Sequence, residues 1–166
     1  MRFRLGAALA FALLAVGACE RRDDRSPRRI GAETEAFRHE LSDDVSGEYR
    51  PVADGGPVKS LFIGQTSAFE AWEAGNRAAS PLILILTLTG RNGEMRVAPR
   101  TYLVTDDGVR MTGATPDGDV TLRARIDQDA LATARRNLGD HAVVISGTLQ
   151  VGDEREPIAL IAWDGD

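Results

Sequence analysis

From Ser46 to the C-terminus, short apolar or alternating runs are separated by clusters of Gly, Pro, Asp and Asn. Runs this short suit strands rather than helices, and the recurring turn residues suit an antiparallel arrangement. Gly47–Val52 and Val58–Ile63 flank the turn-rich Ala53-Asp54-Gly55-Gly56-Pro57. Leu82–Thr89 is a continuous apolar run and predicts a strand buried on both faces. In Arg91-Asn92-Gly93-Glu94 the Asn-Gly pair accepts the positive φ values of a type I′ hairpin turn. Met95–Ala98 and Thr101–Val104, broken at Pro99, read as an inserted hairpin. Asp106-Asp107-Gly108 turns the chain into Val109–Thr112, and Pro116-Asp117-Gly118 turns it into Asp119–Ile126. In that last run Val120, Leu122, Ala124 and Ile126 share one face, with Thr121, Arg123 and Arg125 on the other. Residues 142–151 predict a strand with Val143, Ile145, Leu149 and Val151 inward, and the mid-strand Gly147 predicts a bend or bulge. Residues 157–163 pair back onto it across Gly152-Asp153-Glu154.

Two helices interrupt the strands. Thr66–Asn76 has Ser67 as a candidate N-cap with Glu70 three residues on, and Phe69, Trp72 and Glu73 share a face. Gln128–Leu138 starts behind Asp127, carries an apolar stripe of Leu131, Ala134 and Leu138, and ends with Arg135 and Arg136 before Gly139. The expectation is a mostly β, β-rich α+β domain over 46–166. It is a small antiparallel barrel or sandwich, with one covering helix near 128–138 and a short helix near 66–76. The late element order, three strands, a helix and two strands, is similar to an oligonucleotide/oligosaccharide-binding (OB) barrel. About 120 residues suffice for a core without disulfides.

The N-terminus is of another kind. Arg2 and Arg4 precede an apolar run from Leu5 to Val16, broken only by Gly6. Its length of about 12 residues fits a signal-peptide core and falls short of the ~20 needed to span a bilayer. It ends in Val16-Gly17-Ala18-Cys19, which holds the only Cys of the chain. This segment resembles the signal peptide and lipobox of bacterial lipoproteins. The resemblance implies diacylglycerol on the Cys19 thiol, cleavage before Cys19 and acylation of the new amine. Such acyl chains anchor a protein stably. Glu20, where Asp favours inner-membrane retention in enteric bacteria, points to the inner leaflet of the outer membrane, facing the periplasm, with the inner membrane as the alternative. Removing residues 1–18 takes Arg2 and Arg4 from the 20 basic side chains and leaves 18 against 25 acidic, formally −7. Residues 19–45 are rich in mixed charge and read as the lipidated Cys followed by a flexible tether. Phe37 and Leu41 are spaced for a turn or two of helix over 33–41.

Composition then removes whole classes of function. The chain of 166 residues has a formal net charge of −5, which argues against nucleic-acid binding. One Cys excludes a Cys-based metal site and an internal disulfide, and two His exclude a His-rich metal centre. There is no G-x-S-x-G and no H-E-x-x-H. His39 falls in the tether and His141 in a loop, both read as solvated. Asp106-Asp107, Asp117/Asp119 and Asp127/Asp129 fall in turns or caps, where Asp bonds local backbone amides. No catalytic residue, metal ligand or cofactor is assigned, and no enzyme is expected. The one patterned surface is the trio Arg110, Arg123 and Arg125, which a hairpin at Pro116-Asp117-Gly118 brings to one outward face. It reads either as an anion or partner patch or as a solvated face with acids such as Asp107. Three functions stay open: a non-catalytic module that binds an envelope protein, glycan or lipid; a periplasmic inhibitor or chaperone; and a cell-wall hydrolase with an unrecognised site.

Overall fold

A computed structural model of the chain describes residues 37–87, 93–137 and 139–165. The signal peptide, Val16-Gly17-Ala18-Cys19 and the charged segment after it lie outside the described residues, as do Asn92 and Leu138.

The described chain is mostly β, with ten strands in one curled sheet and two helices. The strands are β1 (Phe37–Glu40), β2 (Gly47–Pro51), β3 (Val58–Ile63), β4 (Leu82–Thr87), β5 (Glu94–Val97), β6 (Thr101–Thr105), β7 (Gly108–Thr115), β8 (Gly118–Ile126), β9 (Ile145–Val151) and β10 (Glu154–Ala162). The helices are α1 (Thr66–Glu73) and α2 (Gln128–Arg136). Strand order is β1-β6-β7-β8-β9-β10-β2-β3-β4-β5, and only β1 and β6 are parallel. The run β6 to β10 is a plain meander in which β8 and β9 pair directly although α2 lies between them in sequence. It therefore differs from the five-stranded Greek-key pairing of an OB barrel.

Alternation along the strands builds the core. One inward row crosses six strands, from Phe37 through Tyr102, Met111, Leu122 and Leu149 to Glu156. Leu61, Ile63, Leu82, Leu84, Leu86, Val120, Leu122 and Leu160 are fully buried on this side. The curl brings Val97 of β5 over β7, where a methyl added at Gly113 would lie 2.6 Å from its Cγ1. Phe69, fully buried, fixes α1 against the sheet. Asp127 caps α2 by accepting from the Ala130 amide at 3.0 Å, and Leu131 and Ala134 are its buried face.

Several expectations need correction. Residues 37–40 are a strand and not a helical turn, and Val45 is 1% exposed, so the domain starts ahead of Ser46. The cause is non-local, since the free edge of β6 supplies backbone partners to β1. Met95–Val104 is not a hairpin. Pro99 ends β5, the Arg100 amide already donates to Thr112 O at 2.8 Å, and the two strands sit at different places in the sheet. Over its described part, Leu82–Thr87, the apolar run is buried on one face only, because Ile83 and Ile85 remain part-exposed on the outer side. Gln65, and not Ser67, precedes α1, and no side chain caps it. Val143 is 40% exposed while Val144 is buried, since β9 starts only at Ile145. Pairing runs unbroken through Gly147, so there is no bulge there. Its lack of a Cβ serves close approach instead, as a Cβ would lie 2.1 Å from Arg123 O.

Candidate functional site

Three features of the described residues stand apart from the core. The first is the outer face of β6 to β9. Arg110 lies directly opposite Arg123 in the β7–β8 ladder, and Arg125 follows on the same face. Across the sheet this outward row reads Arg38, Leu103, Arg110, Arg123, Thr148 and Pro157. The row beside it is polar and uncharged from Thr101 through Thr112 and Thr121 to Gln150. Thr101 and Thr112 share a hydroxyl hydrogen bond of 2.6 Å. The outward carboxylates of β1 and β6 to β9 are Glu40 and Asp119, and each is engaged by an arginine, Arg38 and Arg100 respectively. Arg123 and Arg125 make no ion pair among the described residues. The trio is not uniform, however. Arg125 borders a shallow depression with Asp107, Asp127 and Asp129, so acids surround it that Arg123 does not have. Of the three, Arg110 and Arg123 are the two that stand directly opposite one another. Directly opposed like charges cost stability in a sheet.

The second feature is the mouth at the β7–β8 and β9–β10 turns. A cavity of about 620 Å³ opens there, floored by Val58, Leu149 and Val151. Asp54, Asp117, Asp153, Glu154 and Glu156 rim it, with Lys59. Glu156 and Glu154 share the inward parity of Ile158 and Leu160, so the inner face of β10 turns from apolar to acidic at the mouth.

The third feature joins β1 to α1. His39 Nδ1 lies 3.0 Å from Glu73 Oε1, and the Tyr102 hydroxyl donates to the same oxygen at 3.1 Å. The His39 ring stacks on Phe69, and Tyr102 meets Phe69 edge-on. The Arg77 guanidinium covers Trp72 and Phe37. Burial, and then the Glu73 charge, push the Tyr102 hydroxyl above its ordinary pKa. The contacts of this group tie α1, β1 and β6 together. The expectation of a solvated His39 is thereby corrected, because β1 carries it in between α1 and β6. The face that Glu73 shares with Phe69 and Trp72 on α1 is a local pattern, whereas its partner His39 lies thirty-four positions away and carries none.

Of the Asp residues expected to bond local amides, Asp127 does so at the start of α2, but Asp106 binds amides more than sixty positions away. Asp106 accepts from the amides of Asp43 at 3.0 Å and Ser42 at 2.9 Å, and these bonds hold its carboxyl below the usual Asp range. Ser46, by hydroxyl and amide, does the same for Asp44, with Arg135 adding a smaller contribution. Both pKa values are lowered by folding, so both groups stabilise the fold above the ordinary Asp value and lose that contribution as pH falls through their folded values. The melting temperature is expected to hold down to about pH 4 and then fall. An Asp106→Asn variant should show a shallower fall in a melting series from neutral pH to about pH 2. An identical acid limb in the variant would exclude Asp106 as a contributor.

Cys19 lies outside the described residues. Among those described, no group of three or more His, Cys, Asp or Glu side chains is arranged to hold a metal ion. No family model, no curated protein and no solved structure matches the chain.

Proposed function

We propose that this chain is a lipid-anchored protein of the bacterial cell envelope whose β-domain binds a partner without catalysis. The anchor is Cys19, lipidated after the signal peptide is cut before it, and the protein faces the periplasm from the inner leaflet of the outer membrane. The observation that carries the anchor is the N-terminal pattern: a basic start, an apolar run of signal-peptide length, and Val16-Gly17-Ala18-Cys19 with the only Cys of the chain. The binding role is supported by the outward face of β8, where Arg123 makes no ion pair among the described residues. The surface offered to the partner is the outer face of β6 to β9.

Metabolic labelling with palmitate tests the anchor. The parent chain is expected to take up label and to fractionate with membranes, and Cys19→Ser is expected to take up none. Label retained in Cys19→Ser would refute the lipoprotein reading. In-cell crosslinking from the arginine face tests the binding role. Discrete crosslinked species that disappear in Arg110→Ser/Arg123→Ser support it, and species indifferent to that change remove this face as the binding surface.

A further inference from the structure

We infer that the cavity at the mouth binds a small amphiphilic cation, an ammonium group carried on a compact apolar body. This cavity is separate from the arginine face and from the proposed anchor. It exists because β2 is short. β2 pairs with β10 only from Tyr49 to Pro51, and with β3 only from Gly47 to Tyr49. Past Pro51 the chain leaves the sheet through residues 52–57. β10 from Glu154 to Ile158 and β3 from Val58 to Ser60 therefore part with no described strand between them. The cavity of about 620 Å³ takes its walls from both, and its size is that of a small-molecule pocket. Those walls are fixed in place. The Thr87 amide donates to Pro57 O at 2.8 Å and holds the loop to the end of β4. The Gly152 amide donates to Asp119 O at 2.8 Å, and a Cβ on Gly118 would lie 2.8 Å from Gly152 Cα, so the β7–β8 and β9–β10 turns are locked together.

The chemistry of the walls selects the ligand. The floor of Val58, Leu149 and Val151 is apolar. Five carboxylates ring it against the single ammonium of Lys59. Of these, Asp54, Asp153, Glu154 and Glu156 make no ion pair among the described residues. Glu154 and Glu156 keep the inward parity of Ile158 and Leu160, which sets them over the floor. The edge of β10 adds to the excess of acceptors. Ala159 O accepts from the Val52 amide at 3.1 Å, and alternation along the ladder turns residue 157 to that same side, where a proline offers a carbonyl and no amide. Acceptors above an apolar floor suit a cation that donates hydrogen bonds and carries an apolar body. Among the described residues no three acids converge as metal ligands would, so an organic cation bulky enough to reach several of them is the better match.

The test uses the intact lipidated protein in phosphatidylcholine nanodiscs, with empty nanodiscs as the blank. Three ligands share one apolar cage and differ in charge: 1-adamantylammonium, 1-adamantanol and adamantane-1-carboxylate. Calorimetric titration is expected to show binding of the ammonium, about tenfold weaker binding of the alcohol, and none of the carboxylate. Methyl resonances of Val58, Leu149 and Val151 should shift when the ammonium is added. Affinity should fall about threefold in Glu156→Gln and about tenfold with Glu154→Gln added. Raised salt should weaken it as well. Glu70→Gln removes an exposed carboxylate of α1, which follows the far end of β3, and should leave the affinity unchanged.

Equal affinity for the ammonium and the alcohol would overturn the inference, as would methyl resonances that stay in place or an affinity unchanged in the double variant. Pentalysine binding as tightly as the caged cation would also overturn it, and would assign the rim to a basic protein segment. The methyl shifts are read on the parent chain, so they decide the question whether or not a variant folds. Failure of the anchor reads out separately as absence of palmitate at Cys19, and the same titration then runs on the unlipidated chain.

Discussion

Gly147→Ala is expected to destabilise the domain by about 3 kcal/mol or more, at the upper end of what overpacking costs. An added Cβ would lie 2.1 Å from Arg123 O and 2.5 Å from Ala124 Cα. Both are backbone atoms of the neighbouring strand, so no rotamer change relieves the contact, and β8 and β9 must separate. These strands carry Leu122, Leu149 and Ile145, all essentially buried, so the separation opens the centre of the core. The melting temperature is expected to drop by about 10 °C or more. Thr148→Ala, one residue on and facing outward, serves as the control and should change stability by no more than about 0.5 kcal/mol. A Gly147→Ala protein melting with the parent would mean that β8 and β9 are not this close.

Phe69→Ala is expected to cost about 3–5 kcal/mol, the range for emptying a buried phenyl site. The ring is fully buried, with centroids 5.6 Å from His39 and 5.3 Å from Tyr102. The loss is local as well as global. With eight residues, α1 is shorter than the ~12–15 at which an isolated helix becomes marginal, so it depends on that ring for docking. Amide exchange over residues 66–74 should therefore approach that of an open segment while β7, β8 and β9 keep their protection. Protected α1 amides in Phe69→Ala would show that Trp72, His39 and Glu73 hold the helix without it.

These two residues also show where a sequence reading stops. Phe69 was legible, since its spacing to Trp72 on a short helical run marks the buried face, and both packed as that spacing requires. Gly147 was legible only as an exception. Its mid-strand place predicts a bend or bulge, and only the neighbour's coordinates show that it serves a close approach instead. The same division runs through the candidate face. Parity within one strand placed Arg123 and Arg125 outward, and the turn at Asp117-Gly118 implied that Arg110 joins them. That Arg110 meets Arg123 directly, while Arg125 borders Asp107, Asp127 and Asp129, follows from register and from the position of α2.

By itself the sequence determined the positions of most strands and both helices, the Asp127 cap, the outward parity of the arginines, and the lipobox-like run ending at Cys19. Each of these is written within a few residues, in side-chain period, turn chemistry or a contiguous motif. The tertiary structure decided the strand order, the parallel addition of β1 to β6, the separation of β5 from β6, and the grip of Glu73 on His39 and Tyr102. It also decided that Asp106 secures the amides of Ser42 and Asp43 from more than sixty positions away. Backbone groups and half-buried side chains accept any partner of suitable geometry, so a local pattern sets which face is buried, and only the packed whole selects what lies against it.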